Sequence, residues 1–116
     1  MPAAPRKQDS MNHRRFRLAD GAVADLQGIA SYIGQRNPAA SDRVLDVLYQ
    51  TFSLRGENPD IGAQRDDLIP GLRIFSPPRP AHYYVIAYYK ARDGVEINAV
   101  IHGARDWPNL IARGER

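Results

Sequence analysis

The segment from residue 83 to residue 107 constrains the fold of this chain more than any other. It contains two runs of β-branched and aromatic residues, 83–89 and 95–101, separated by a short stretch with an Asp93-Gly94 step. Runs of this kind joined by an Asp-Gly step are typical of a β-hairpin. We therefore predict two adjacent antiparallel strands here, and the rest of the chain is organised around them.

The second run alternates between apolar and mainly polar positions. One face of the strand is predicted to carry Val95, Ile97, Ala99 and Ile101. The other face is predicted to carry Glu96, Asn98, Val100 and His102. A strand that alternates in this way has a partner layer on one side only. We therefore expect the face that ends in His102 to be open and to be the working surface of the protein.

Composition and charge exclude several classes of protein. The 116 residues include no cysteine, which excludes disulfides and thiolate zinc sites, and only three histidines, so we expect no metal and no cofactor. No apolar run reaches the roughly 20 residues of a membrane helix. A formal charge of +3 is too small an excess to indicate nucleic-acid binding. These features favour a cytoplasmic protein.

The beginning of the chain differs from the rest. Residues 1–12 contain two prolines and two basic residues but no apolar segment, so they do not form a secretory signal. We predict a disordered leader over residues 1–12, with Met1 and Met11 as alternative starts. Residues 13–116 are predicted to form a single domain, since a chain of this length has one core.

Two amphipathic helices follow a short strand predicted at residues 14–18. The first begins after Asp20 as N-cap and extends to about Arg36. Its predicted apolar stripe consists of Val23, Leu26, Ala30 and Ile33, with Ile29 on the flank. Asn37 and Pro38 separate it from the second helix, which ends near Gly56. The second helix is predicted to bury Val44, Leu45, Leu48 and Phe52. The two helices therefore form an antiparallel hairpin.

The remaining elements are shorter. Residues 57–71 show no periodicity and predict a loop, residues 72–75 predict a strand, and residues 108–113 predict a terminal helix. The order of elements is β-α-α-β-β-β. It predicts a two-layer α+β fold, with a helical hairpin on one face of a small, mainly antiparallel four-stranded sheet.

Residues in most of these elements match a known family. They are Ala24-Asp25-Leu26 with Ile29 and Tyr32, Pro59, Gly71-Leu72-Arg73, Tyr84-Val85-Ile86 with Tyr88, and Val100-Ile101-His102-Gly103-Ala104-Arg105-Asp106. Over residues 14–107 the chain resembles the RelE/ParE superfamily of bacterial toxins from type II toxin–antitoxin systems. It is most similar to the ParE branch, also called plasmid stabilisation proteins.

The resemblance implies a function and a partner. It implies a toxin that inhibits growth by binding a protein target, with DNA gyrase as the expected target. It also implies neutralisation by a ParD-like antitoxin in a hetero-oligomeric complex. Two alternatives stay open: a RelE-like endoribonuclease that cleaves messenger RNA on the ribosome, and a degenerate toxin that only binds its antitoxin.

The sequence contains candidate residues for RNA cleavage. A metal-free ribonuclease needs an acid or base and cations that hold the scissile phosphate. His102 is the candidate acid or base, Arg73 and Arg105 are candidate phosphate ligands, and Tyr88 supplies a hydroxyl. RelE-like enzymes also use lysines, and the predicted domain contains only Lys90. We therefore favour a binding protein without catalytic residues.

The same end of the hairpin is the predicted target-binding surface. The residues predicted to contact the target are Arg73, His102, Arg105 and Trp107. Each also has a structural interpretation. The His102 ring is equally suited to a hydrogen bond with the backbone, Arg73 to an ion pair with Asp25 or Asp106, and Trp107 to packing on the core.

A second surface is predicted for the antitoxin. The helical hairpin and the sheet edge are expected to leave an apolar groove, where an amphipathic antitoxin segment becomes ordered on binding. The residues predicted to line it are Leu26, Ile33, Leu45, Phe52 and Tyr84. Arginine greatly outnumbers lysine in this chain. One explanation of that excess is a GC-rich coding bias. The alternative is that the arginines bind an acidic segment of the partner.

Overall fold

The computed structural model describes residues 15–114, so the predicted leader, residues 1–12, lies outside the described residues. The elements are β1 (Phe16–Leu18), α1 (Asp20–Gly34), α2 (Pro38–Glu57), β2 (Ala63–Gln64), β3 (Leu72–Phe75), β4 (Tyr84–Ala91), β5 (Gly94–His102) and α3 (Trp107–Arg113). Between residues 15 and 114, no helix combines the length and apolar character needed to span a bilayer.

The strands form a single sheet in the order β1-β5-β4-β3-β2. β1 pairs with β5 in parallel, and the other neighbours are antiparallel. The predicted α+β class and the mainly antiparallel sheet are therefore confirmed. The predicted count of four strands is wrong by one, because Ala63 and Gln64 pair with Ile74 and Arg73. Two residues are too few to show a strand period in the sequence.

The helical hairpin forms as its local sequence predicts. Asn37 is the N-cap of α2, and its side-chain Oδ1 accepts a hydrogen bond from the Ala40 amide at 3.0 Å. Pro38 occupies the first turn, where its missing amide has no cost. The N-cap of α1 is Ala19 and not Asp20, which is the first helical residue, and α1 ends at Gly34, earlier than predicted.

The buried side of α1 is rotated from the predicted stripe. Ala22, Leu26 and Ile29 are buried, whereas Val23 is 38% exposed. Positions 22, 26 and 29 have the same three-and-four spacing as positions 23, 26 and 30. Spacing alone therefore does not distinguish the two stripes. The contacts of α1 with α2 and β5 decide between them.

The larger of two apolar cores lies between the helical hairpin and the sheet. Its fully buried or nearly buried members are Ala22, Leu26, Ile29, Val44, Leu48, Phe52, Ala81, Tyr84, Ile86, Tyr88, Val95, Ile97 and Val100. The aromatic rings of Phe16, Tyr49 and Phe52 contact one another, with centroids 5.5 to 6.1 Å apart. The helical hairpin therefore covers one face of β1, β4 and β5, whereas both residues of β2 are exposed.

A β-bulge divides the apolar residues of β5 between the two faces of the sheet. Ala87 pairs with Ala99, but the next residue, Tyr88, pairs with Ile97, so Asn98 is an extra residue in β5. Before the bulge, Val95 and Ile97 contact the helices, and after it Ala99 and Ile101 point to the opposite face. The predicted common face for these four residues is therefore wrong.

The same bulge changes the position of His102. His102 pairs with Tyr84, whose side chain lies in the core on the helical side. His102 therefore does not share a face with Glu96, which precedes the bulge. The prediction placed both on one open face, and this was wrong because an extra residue reverses the alternation beyond it.

The face predicted to be open carries a second, smaller core. Its buried members are Leu72, Ala87, Ala99, Ile101 and Ile111. Side chains of α3 and of the loop before β3 pack against it, namely Leu110 and Trp107 from α3, and Leu68 and Ile69 from the loop. The prediction assigned no packing side to the terminal helix. Its apolar residues cover part of this face.

A carboxylate on α1 completes the hydrogen bonding of β5. β1 reaches only as far as the pair Leu18 and Ile97, so it does not extend to Val100. The Val100 amide instead donates to Asp25 Oδ2 at 2.9 Å. A buried amide without an acceptor is unfavourable, so Asp25 joins helix and sheet at the point where the parallel pairing ends.

We predict that Asp25→Ala lowers the free energy of unfolding by about 1–3 kcal/mol, because the Val100 amide loses its acceptor. Urea unfolding of the purified chain measures this change. Asp46→Ala, at an exposed position of α2, is the control and should change stability by less than about 0.5 kcal/mol. Equal stabilities for the two variants would contradict the role assigned to Asp25.

Candidate functional site

The turn that follows β5 is held against the start of β4 by backbone hydrogen bonds. The Gly103 amide donates to the Tyr83 carbonyl at 2.7 Å, and the Arg105 amide donates to the His102 carbonyl at 3.0 Å. The Ala104 amide donates to His102 Nδ1 at 3.1 Å. In this arrangement Nδ1 carries no proton, so a neutral His102 ring has its proton on Nε2.

Three rings line up beside this turn. The Tyr83 ring stacks on the His102 ring, with centroids 6.0 Å apart and an interplanar angle of 11°. The centroid of the His82 ring lies 4.1 Å from that of Tyr83, with the two rings tilted by 36°. Tyr83 is 60% exposed. The Arg105 side chain, three residues after His102 in the sequence, is also exposed. We call the four residues His82, Tyr83, His102 and Arg105 the hairpin corner.

Trp107 lies outside the hairpin corner, although it was predicted to contact the target. Its ring packs half-buried against the second core. The Arg65 guanidinium lies over that ring, 5.4 Å from the centroid. The structural interpretation of Trp107 thus describes its position, and of the four predicted target contacts only His102 and Arg105 lie together.

Arg73 is engaged inside the fold. Its Nη1 donates to the carbonyls of Asp60 at 2.8 Å and Gly62 at 2.7 Å, and its side chain is only 12% exposed. The Asp60 carboxylate lies 3.7 Å from Arg73 Nη2 and 2.7 Å from Lys90 Nζ. The acidic neighbour of Arg73 is therefore Asp60, and not Asp25 or Asp106 as the sequence suggested.

Tyr88 anchors the same loop from the core. Its ring is completely buried, and its hydroxyl donates to the Pro59 carbonyl at 2.9 Å and accepts from the Gly62 amide at 2.8 Å. A Cβ atom at position 62 would overlap the Tyr88 ring and hydroxyl, so this approach requires glycine. Tyr88 and Arg73 together fix the loop over residues 58–62.

The structure separates the four residues considered for RNA cleavage. His102 pairs with Tyr84 and Arg73 pairs with Tyr88, at two different places along β4. Four residues of an antiparallel strand span about 13 Å. Arg73 and Tyr88 therefore lie about that far from His102, and both are occupied by loop contacts. The hairpin corner offers ring stacking, two imidazoles and one guanidinium.

The side chains predicted to bind the antitoxin point largely into the protein. Leu26, Phe52 and Tyr84 are buried in the larger core, and Ile33 and Leu45 are half-buried against it. Burial, and secondarily the nearby Tyr32, raises the pKa of Tyr84 above its ordinary value of 10.0. The helices need these residues to cover the sheet. An open groove lies elsewhere, between α2 and the end of β3.

Sequence reasoning missed Tyr83 and assigned no function to His82. Both precede β4, so strand periodicity does not predict the direction of their side chains. Their role depends on the register that brings the start of β4 beside His102. The signal in the sequence that could have indicated Tyr83 was the pair of adjacent tyrosines, Tyr83 and Tyr84, opposite His102 in the register of the hairpin.

The fold and the hairpin corner define a small α+β protein with a surface suited to binding. Residues 16–107 match the family model described as ParE toxin of type II toxin-antitoxin system, parDE. The chain therefore belongs to the ParE toxin family, and the predicted resemblance is confirmed.

Two individual proteins support this assignment. The chain is 34% identical over 84 residues to Toxin RelE2 of Caulobacter vibrioides (strain ATCC 19089 / CIP 103742 / CB 15), which covers 72% of this chain and 89% of that protein. Its fold is similar to a solved structure described as the chromosomal ParDE TA system from P. aeruginosa. That match has a TM-score of 0.64 and 16% identity, and it covers 77% of this chain and 95% of the other.

We predict that Tyr88→Phe lowers the free energy of unfolding by about 1–3 kcal/mol, because the buried Gly62 amide loses its acceptor. Urea unfolding checks the value, with Tyr32→Phe on the exposed face of α1 as a matched control within about 0.5 kcal/mol. If Tyr88→Phe unfolds like the wild type, the hydroxyl does not hold the loop.

We also predict a pH dependence of stability at Asp60. The hydrogen bond and charge of Lys90, followed by the charge of Arg73, hold the pKa of Asp60 below its ordinary value of 3.8. A depressed folded pKa gives stability that is present above pH 3.8 and is lost as the pH falls through the lower folded value. Asp60→Asn should therefore lower Tm near neutral pH, and the difference from the wild type should shrink in acid.

Thermal unfolding between about pH 2 and pH 7 measures the effect. Asp93→Asn, in the exposed hairpin turn, is the control and should leave the pH profile unchanged. A Tm difference between Asp60→Asn and the wild type that is constant over this range would show that Asp60 gains nothing from Lys90 and Arg73.

Proposed function

We propose that this toxin inhibits growth by binding DNA gyrase in the cytoplasm, and that a ParD-like antitoxin neutralises it in a hetero-oligomeric complex. The observation that carries the proposal is the separation of the candidate catalytic residues. Tyr88 and Arg73 are hydrogen-bonded to the loop over residues 58–62 and lie about 13 Å along β4 from the pair that His102 forms with Tyr84, which argues against a cleavage site made of all four. A protein-binding role needs only an exposed surface.

The hairpin corner supports the binding part of the proposal. Tyrosine and arginine are enriched at the centres of protein interfaces, because each combines a large contact area with hydrogen-bond donors. Tyr83 is 60% exposed, and its ring contacts the rings of His82 and His102. A side chain that is already positioned loses little freedom when a partner binds.

The family supports the antitoxin part. The matching family model describes a toxin of a type II toxin–antitoxin system. The P. aeruginosa structure is described as a ParDE system, a name that covers a toxin and its antitoxin. We extend that pairing to this chain and expect the small open reading frame next to its gene to encode the antitoxin.

Message cleavage is the second candidate function, and one observation favours it. His102 and Arg105 are both exposed at the hairpin corner, which leaves one acid or base and one cation available to an RNA phosphate. A related protein is also named as a RelE toxin.

We predict that the purified chain inhibits supercoiling by gyrase, and that Tyr83→Ala and Arg105→Ala each require about tenfold more protein for the same inhibition. The physical reason is that each truncation removes an exposed contact of the hairpin corner. Arg92→Ala is the matched control, because Arg92 lies in the turn at the opposite end of the same hairpin.

Primer extension on cellular RNA separates the alternatives. If the wild type cleaves messenger RNA and His102→Ala does not, the proposed function is endoribonuclease activity and not gyrase inhibition. Inactivity in both assays, together with a stable antitoxin complex, would instead identify a degenerate toxin that only binds its antitoxin.

A further inference from the structure

A groove of about 450 Å³ lies between α2 and the end of β3. Four apolar residues, two arginines and three uncharged polar residues line it. The residues that define it here are Val47, Leu54, Phe75, Pro78, Arg55 and Arg79. We call it the Arg55 groove.

The Arg55 guanidinium is unusual because two of its three nitrogens are buried without an acceptor. Arg55 is 7% exposed, and its Nε and Nη1 have no hydrogen-bond partner among residues 15–114. Its guanidinium lies 4.1 Å from the centroid of the Phe75 ring. A buried cation is unfavourable unless an anion and acceptors compensate it. The cation–π contact stabilises the charge but accepts no hydrogen bond in the plane of the guanidinium.

The position of Arg55 in the last turn of α2 explains only part of this arrangement. A cation there interacts favourably with the helix dipole. The dipole nevertheless does not supply oxygen atoms to Nε and Nη1. Within the described part of the chain, the side chains that line the groove include no carboxylate. Among residues 15–114, the other polar side chains of the lining are the uncharged Gln50, Thr51 and Ser76, so the groove supplies no anion to the Arg55 guanidinium.

We propose that the Arg55 groove binds a segment of the antitoxin that presents a carboxylate side chain to Arg55 and apolar side chains to the walls. This inference rests on the proposed function, since it assumes an antitoxin partner. A carboxylate matches the guanidinium because it carries the opposite charge and accepts N–H hydrogen bonds. Arg79 adds a second positive charge, and Leu54, which is 52% exposed, offers apolar contact area.

The test compares antitoxin binding by the full chain and by three variants in isothermal titration calorimetry. Arg55→Met keeps the length and the contact with Phe75 but removes the charge, and we expect at least about tenfold weaker binding. Arg55→Lys keeps the charge but lacks the planar guanidinium, so its affinity for the antitoxin should lie between those of the wild type and Arg55→Met. Arg43→Met, at an exposed position of the same helix, is the control and should bind like the wild type.

Two further measurements make the result specific. The Tm of free Arg55→Met should not fall, because the variant loses an uncompensated buried charge, so weaker binding is not a consequence of unfolding. Acidic residues of the antitoxin are then neutralised one at a time. One of these changes should weaken binding to the wild type and have no effect on Arg55→Met.

The possible results distinguish this inference from the function on which it rests. If Arg55→Met binds the antitoxin as tightly as the wild type, the inference is wrong and the proposed pairing stands. If the wild type binds no antitoxin, both fail. If light scattering shows that the wild type alone is a dimer and Arg55→Met a monomer, the groove binds a second copy of the chain, and the inference is wrong.

Discussion

The fold depends on the pairing of β4 with β5 and on the single extra residue within it. β5 lies between β1 and β4, so every element contacts the sheet through this pair or through a direct neighbour of it. The bulge at Asn98 turns Val95 and Ile97 toward the helices, and Ala99 and Ile101 toward α3. An uninterrupted strand would place all four on one face. Both cores therefore require the bulge.

This arrangement assigns different tasks to residues that look alike in the sequence. Arg73 and Tyr88 hold the loop before β2 through hydrogen bonds to its backbone. Arg105 and Tyr83 belong to the exposed hairpin corner. One arginine and one tyrosine stabilise the domain, and another of each is available to a partner. Arg55 follows neither pattern, because its Nε and Nη1 are buried without an acceptor among residues 15–114.

The sequence predicted the helices, β3, the central hairpin and the fold class, because each long element repeats its apolar residues at a period that its own backbone imposes. The bulge left no such trace, since Asn98 fits an alternating strand in the sequence. β2 was too short to detect. The contact of Arg73 with Asp60 joins a strand to an aperiodic loop, so no spacing rule indicated it. His102 and Arg105 were predicted from their position at the end of the second strand of the hairpin, whereas the role of Tyr83 depends on the strand register.

The anchored loop over residues 58–62 has a consequence for recognition. Its backbone is bonded to Tyr88 and Arg73, yet it carries Ile61, whose side chain is 60% exposed. Exposed aliphatic residues on flexible loops contribute little to affinity, because binding reduces the conformational entropy of the loop backbone. At Ile61 folding has already removed that freedom. A hydrophobic contact made by the Ile61 side chain is therefore not offset by the entropy of ordering its backbone.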